Sequence, residues 1–279
     1  MAGPGVRAGA ARRPRREPGG VSLAQARGVV FDLDGCVWTG AELAPGAAEL
    51  IAELSRRARG VAFLTNNSRA TAQDIHARLA ALGIEADPER VLTPLEIFGE
   101  FIRERHGRSR VLVIGADEMS AVVRAAGHEV LPVERYREAT VVAVGNDFDL
   151  SYARLTAAAR AVAAGAGLVT PNVDPRLPIE GGDFLPGCGA IVEAVAIAGG
   201  RRPEIAGKPE PPLFRVVLAR LGLAPAQAVM VGDSLEADIR GARRVGMQTV
   251  LYAPAGGPAS DEPDLTVRSF VELGRVLLG

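Results

Sequence analysis

Lysine occurs once in this chain of 279 residues, at Lys208, although lysine and arginine together number 32. Where arginine is the default cation, a solitary lysine stands out, because the two are not equivalent at a site that needs a compact point charge. Cysteine occurs twice, at Cys36 and Cys188, without metal-ligand spacing and without the density of a disulfide framework. A reducing, cytoplasmic setting is therefore expected. Aromatic residues make up only 4% of the chain, too few for the stacking platforms of single-strand binders. The formal net charge of −1 gives no global attraction to nucleic acid. No run of about 18 or more apolar residues occurs, so no helical membrane span is expected. His76, His106 and His128 lie away from every motif described below and read as surface or packing residues.

What the chain does have is apolar residues, 48% of the total, enough to bury a substantial core in one or two domains. Residues 1–20 carry five arginines against one acid among Gly, Ala and Pro, and read as a disordered tail without a signal-peptide core. Beyond it, short apolar runs alternate with helical patterns. Val29–Phe31 is followed by a helix over 45–59, with Ala47, Leu50, Ile51 and Leu54 at helical spacing, then by the run Val61–Leu64. That order predicts a parallel sheet covered on both faces. Residues 90–186 repeat the alternation and read as a separate α/β unit, with strands at 110–114, 128–131, 140–144 and 167–169. From residue 187 the first pattern resumes, with strands at 204–206, 228–231, 248–252 and 264–267 and a helix over 236–245. Neither Gly115 nor Gly145, each closing an apolar run, opens a Gly-x-Gly-x-x-Gly pattern, so a dinucleotide fingerprint is absent.

Four of the apolar runs end in polar clusters. Val29-Val30-Phe31 stops on Asp32-Leu33-Asp34-Gly35, and Val61–Leu64 on Thr65-Asn66-Asn67-Ser68. Residues 204–206 precede Gly207-Lys208-Pro209, and residues 228–231 precede Gly232-Asp233-Ser234, with Asp238 close behind. Taken alone, Asp32-x-Asp34 is also explained by a solvated turn, and Thr65–Ser68 by a helix cap. If the four strands share one sheet, their carboxyl ends bring together carboxylates, a hydroxyl and an ammonium in one crevice. Adjacent carboxylates repel unless a cation lies between them, and a hard divalent ion such as Mg²⁺ suits oxygen ligands. That inventory fits a phosphoryl group.

In chain order, Phe31-Asp32-Leu33-Asp34-Gly35, Leu64-Thr65-Asn66-Asn67, Gly207-Lys208-Pro209 and Gly232-Asp233-Ser234-Leu235-Glu236-Ala237-Asp238 resemble motifs I to IV of the haloacid dehalogenase superfamily. The inserted block between the second and third motifs, together with Pro186-Gly187-Cys188-Gly189-Ala190, resembles the C2-capped subfamily IIA. The resemblance implies an α/β fold: a Rossmann-like parallel-sheet core at residues 21–89 and 187–279 with an α/β C2 cap inserted at 90–186. It implies a Mg²⁺-dependent phosphatase of small phosphomonoesters. Asp32 would be the nucleophile and Asp34 the general acid and base. Thr65, Lys208 and the Asn66 backbone would bind the phosphoryl oxygens. Asp32, the Asp34 carbonyl and Asp233 would hold the metal, supported by Asp238, and Asn67 would help position Asp32 or the substrate.

By the same resemblance, the cap loop over 170–178 would select the leaving group, with Asn172, Asp174 and Arg176 as candidates; a proline-stiffened connection is the alternative for each. Relatives acting on pyridoxal phosphate tend to carry a histidine where this chain has Leu177, which leaves glycerol phosphate, phosphoglycolate, sugar phosphates and nucleoside monophosphates as substrate classes. A phosphonate hydrolase of this superfamily needs a second lysine, which the chain lacks. The alternative outside enzymology is a non-catalytic phospholigand-binding protein that keeps the fold. The expected partner is a small phosphorylated metabolite, with no nucleic acid or membrane. Relatives often dimerise through the cap, but the sequence shows no interface for a homodimer.

Overall fold

The computed structural model describes residues 22–178, 183–256 and 262–279, so the arginine-rich tail lies outside the described residues. Strand Gly28–Phe31 sits at the centre of a six-stranded sheet. From one edge the order is Leu265–Val267, Gln248–Tyr252, Ala228–Gly232, Gly28–Phe31, Gly60–Leu64 and Val91–Leu92, every pairing parallel. Alternation along the central strand explains its unbroken apolar character: Val29 and Phe31 enter one core cluster, Val30 the other. The first cluster includes Ala47, Leu50, Ile51 and Leu54 of helix Ala47–Arg56, the four positions the spacing marks.

Glu204–Ile205, Gly167–Thr170, Val141–Val144, Arg110–Ile114 and Glu129–Leu131 form a second, five-stranded parallel sheet in that order. Two pairings depart from the sequence-based division. Val91–Leu92 completes the first sheet, and Glu204–Ile205 joins the second rather than the first. Helix Cys188–Gly199 also packs on the second sheet, burying Ile191, Val192 and Val195 against Val142 and Val144. The strand ahead of Lys208 is only two residues long, so it carries no periodicity that could specify its sheet. Its backbone ladder continues past the strand, with Ala206 and Gly207 N–H donating to the carbonyls of Thr170 and Pro171 at 3.0 and 2.8 Å. Lys208 thus follows a strand of the second sheet, while the next helix, Pro211–Leu221, shares a core cluster with Val30, Ala62 and Leu64 of the first.

Other differences are local. A hairpin pairs Trp38–Thr39 with Glu42–Leu43, and Arg176–Pro178, read from the sequence as loop, pairs antiparallel with Phe184–Pro186. The expected helix over 236–245 is a π-helical turn, Leu235–Arg240, that tightens into α-helix at Gly241–Val245. The Ser234 carbonyl accepts from both Asp238 N–H (3.0 Å) and Ile239 N–H (3.1 Å), which widens the first turn. His128 is a satisfied core histidine, bonded to Ser109 N–H and the Gly99 carbonyl.

Candidate active site

Register places three of the four polar strand ends, those of Gly28–Phe31, Gly60–Leu64 and Ala228–Gly232, side by side. Phe31 lies opposite Val231 on one side and Phe63 on the other, so Asp32 is one step beyond both pairs. Its N–H donates to the Val231 carbonyl at 2.8 Å, prolonging the ladder to the point where the side chain meets the crevice. Lys208 enters from the second sheet. Its ammonium, 2% exposed, donates to Asp32 Oδ1 (2.5 Å), Asp238 Oδ1 (2.6 Å) and the Leu64 carbonyl (3.2 Å). Three converging oxygens satisfy the three donors of an ammonium.

Asp32, Asp233 and Asp238 each offer a carboxylate oxygen, all within 4.8 Å of one another. Three carboxylates against the one ammonium leave two negative charges uncompensated, which matches a divalent cation and oxygen-ligand chemistry. The titration behaviour reflects the same imbalance. Burial raises the Asp32 carboxyl well above the ordinary range; Lys208 opposes the shift, and Asp238 and Asp233 add to it. Asp233 reaches solvent along one side, but its carboxyl packs against Gly35. That burial, reinforced by Asp238, pushes it up to about 6. Burial alone would lower the Lys208 ammonium, but Asp238 and Asp32 reverse the effect and raise it.

Two glycines make room for these acids. Gly35 sits at φ +91°, and a Cβ there would overlap the Asp233 carboxylate; a Cβ on Gly232 would overlap that of Asp238. Gly35→Ala is expected to cost about 1–2 kcal/mol in backbone strain. It should also weaken metal binding by displacing Asp233, read as a lower melting temperature and a raised metal dissociation constant. Unchanged metal affinity would show that Asp233 does not depend on this packing.

The Asp34 carboxyl is turned away from the acidic group. Oδ1 accepts from Trp38 Nε1 at 2.8 Å and Oδ2 from the Thr65 hydroxyl at 3.2 Å. Thr65 Oγ1 in turn accepts from Asn67 N–H (3.0 Å), and Asn67 Oδ1 takes Arg69 and Ala70 N–H, both at 3.0 Å. Asn67 therefore shapes the loop through Thr65 and touches no carboxylate of the acidic group. Asn66 works between the two sheets: its Oδ1 accepts from Lys208 N–H (2.9 Å) and its Nδ2 donates to the Lys208 carbonyl (3.0 Å).

The three cap candidates occupy different settings. Asn172 is 3% exposed and donates to the Asn66 carbonyl at 2.6 Å, so it ties the loops together. Asp174 lies beside Asn66 Nδ2 (3.4 Å); burial raises its carboxyl, with Lys208 opposing. Arg176 is exposed, and its guanidinium stacks on Phe184, 4.2 Å from the ring centroid. A further contact across the crevice had no sequence signal: Arg69 stacks on Phe148 at 3.8 Å. The Trp38–Asp34 bond also escapes the sequence, since nothing in the spacing tells a packed indole from a hydrogen-bonded one.

At the carboxyl ends of the first sheet's central strands thus lie a buried carboxylate, a lysine and a group of carboxylates suited to a cation. Residues 29–129 match the haloacid dehalogenase-like hydrolase family, and residues 205–273 match a HAD-hydrolase-like family. The chain is 36% identical to mouse (Mus musculus) chronophin over 238 residues, 82% of this chain and 81% of that protein. It is 33% identical to acid sugar phosphatase of Staphylococcus haemolyticus over 224 residues, 80% and 84% of the two chains. The crystal structure of 4-nitrophenylphosphatase from Thermotoga maritima superposes with a TM-score of 0.82 at 29% identity, covering 91% of this chain and 98% of that one. The chain belongs to the haloacid dehalogenase-like hydrolases, with the C2-capped, Rossmann-like fold of that family. Within the family it is an enzyme, a phosphatase. Among the described residues, no helix is long and apolar enough to cross a membrane.

Proposed function

We propose that this phosphatase hydrolyses small phosphomonoesters through an aspartyl-phosphate on Asp32, with Mg²⁺ as the metal. One observation carries the reading: Lys208 Nζ lies 2.5 Å from Asp32 Oδ1 in a group of three carboxylates, while Asp34 stands beside them on separate hydrogen bonds. One carboxylate is thus available to attack and another to move a proton. Asp32 and Asp233 would hold Mg²⁺ with the Asp34 carbonyl, and Asp238 would complete the shell. When bound, the ion neutralises the phosphoryl oxygens and the acidic group together.

Asp32 attacks phosphorus; the bond to the alcohol oxygen breaks, and that oxygen takes its proton from Asp34. Asp34, now a carboxylate, removes a proton from the water that hydrolyses the acyl phosphate and returns Asp32. Lys208, the Thr65 hydroxyl and the Asn66 N–H hold the phosphoryl oxygens throughout. The inserted unit acts as the cap. Asp174 and Arg176 would meet the leaving group, whereas Asn172, bonded to the Asn66 carbonyl, would keep the loop in place. Glycerol phosphate, phosphoglycolate, sugar phosphates and nucleoside monophosphates form the panel from which a substrate should emerge. The sugar phosphates gain weight from the acid sugar phosphatase relatives.

The direct test is turnover of p-nitrophenyl phosphate with and without Mg²⁺, followed by the metabolite panel. Hydrolysis unaffected by chelation would remove the metal from the reading. The raised Asp233 carboxyl adds a pH dependence. A carboxyl that holds its proton up to about 6 must release it before it ligates a cation. Mg²⁺ affinity is therefore expected to be full above pH 7 and to fall by up to ~10-fold per pH unit below 6. Titration calorimetry at pH 5 and 7.5 checks this, and equal affinities would contradict it.

A further inference from the structure

We propose that Trp38 is a positioning residue for Asp34: its indole N–H fixes Oδ1 as an acceptor and leaves Oδ2 as the only oxygen that exchanges a proton. The proposal rests on the reading of Asp34 as acid and base.

The Trp38 ring is wholly buried. The turn that carries it is closed by three backbone bonds: Gly35 N–H to the Trp38 carbonyl (2.8 Å), Trp38 N–H to the Leu33 carbonyl (3.0 Å), and Cys36 N–H to the same carbonyl (3.2 Å). The Arg78 guanidinium covers one ring face, 4.2 Å from the centroid, and its other end bonds the Gly40 carbonyl. Buried Cys36 and Val37 belong to the same core cluster. An indole held this way has one polar atom, and that atom points at Asp34 Oδ1 from 2.8 Å.

Indole N–H donates and never accepts. The carbonyl oxygen of a carboxylic acid is a better acceptor than its hydroxyl oxygen, so an N–H held on Oδ1 favours the proton on Oδ2. Oδ2 faces the Thr65 hydroxyl at 3.2 Å, which can donate to a carboxylate or accept from a carboxylic acid. In the forward step the leaving oxygen takes its proton from Oδ2, and in the second step the same atom receives the proton of water. Without the indole bond the carboxyl can rotate and present either oxygen, so fewer encounters deliver the proton to the leaving group.

Leaving groups separate this role from packing. An alkyl alcohol is a poor leaving group and needs its proton; p-nitrophenolate barely does. Trp38 is the only tryptophan in the chain. Expression in a tryptophan auxotroph fed β-(3-benzothienyl)alanine therefore replaces N–H by sulfur at this position alone and keeps the ring shape. With that protein and with Trp38→Phe, kcat/KM for an alkyl phosphomonoester is expected to fall at least ~10-fold, and that for p-nitrophenyl phosphate less than ~3-fold. The melting temperature of the benzothienyl protein should match the native one. Equal losses on both substrates, or no loss on either, would overturn the proposal. Asp34→Asn is the reference: it should show a larger bias of the same kind. If it shows none, the acid–base assignment beneath the proposal fails with it. If it shows the bias and the Trp38 variants do not, only the positioning role is lost.

Discussion

Asp32→Asn should lose at least ~10⁴-fold in kcat on every phosphomonoester the native enzyme turns over, while folding as well as the native protein or better. An amide is no nucleophile toward phosphorus, and its charge no longer contributes to a cation site. The fold should not suffer, because the amide oxygen can still accept from Lys208, which keeps Asp238 as a counter-charge. The sign of the stability change follows from the raised Asp32 carboxyl. A carboxyl raised in the folded state is more favourable protonated than ionised, so its stabilising effect is complete at low pH and lost as pH rises through the folded value. At neutral pH the ionised Asp32 weakens the metal-free protein, and an uncharged isostere removes that cost. Turnover assays, with melting curves in chelator, measure both halves. Near-native turnover would end the covalent mechanism.

How much of this arrangement was visible in the sequence depends on which physical constraint each residue answers to. Val29–Phe31 is buried on both faces, so its apolar run could hardly belong elsewhere, and Ala47, Leu50, Ile51 and Leu54 show the helical period of a one-sided burial. The polar strand ends were legible for the opposite reason, since a buried strand that stops on Asp32 or Asp233 breaks the pattern that formed it. The origin of Lys208 was not legible. Glu204–Ile205 is half-buried and two residues long, and its pairing with Gly167–Thr170 is decided by tertiary contact. Nor was the role of Asn172, because a polar residue in a proline-rich loop looks the same whether it faces a ligand or, as here, the Asn66 carbonyl.

That origin has a mechanistic consequence. The lysine that pairs with Asp32 hangs on the edge of the second sheet, and Asn66, from the first sheet, grips its backbone on both the N–H and the carbonyl side. The two sheets therefore meet at the acidic group itself, and Asn172 and Asp174 converge on the same asparagine. Asn66→Ala should loosen this junction without removing any charged group, raising KM more than it lowers kcat; steady-state kinetics distinguishes the two.

Removing the ammonium gives the largest expected change in stability. Lys208→Met leaves Asp32 and Asp238, both buried, without the cation they share. Breaking a buried ion pair from one side costs about 3–5 kcal/mol, which for a chain of this size lowers the melting temperature by roughly 10 °C. The deficit should be greatest at neutral pH in chelator. It should shrink on acidification, because protonating the carboxylates removes the repulsion, and on addition of Mg²⁺, which favours the folded state by mass action. Lys208→Arg restores the charge but not the geometry. Asp32 Oδ1, Asp238 Oδ1 and the Leu64 carbonyl surround one nitrogen at 2.5, 2.6 and 3.2 Å, and a planar guanidinium cannot direct three donors from a single atom. Arginine is thus expected to recover part of the melting temperature and little of the turnover. Melting curves of both variants, with and without Mg²⁺ at pH 5.5 and 7.5, test the account. A Lys208→Met protein as stable as the native one in chelator at neutral pH would show that the ammonium does not neutralise the acidic group.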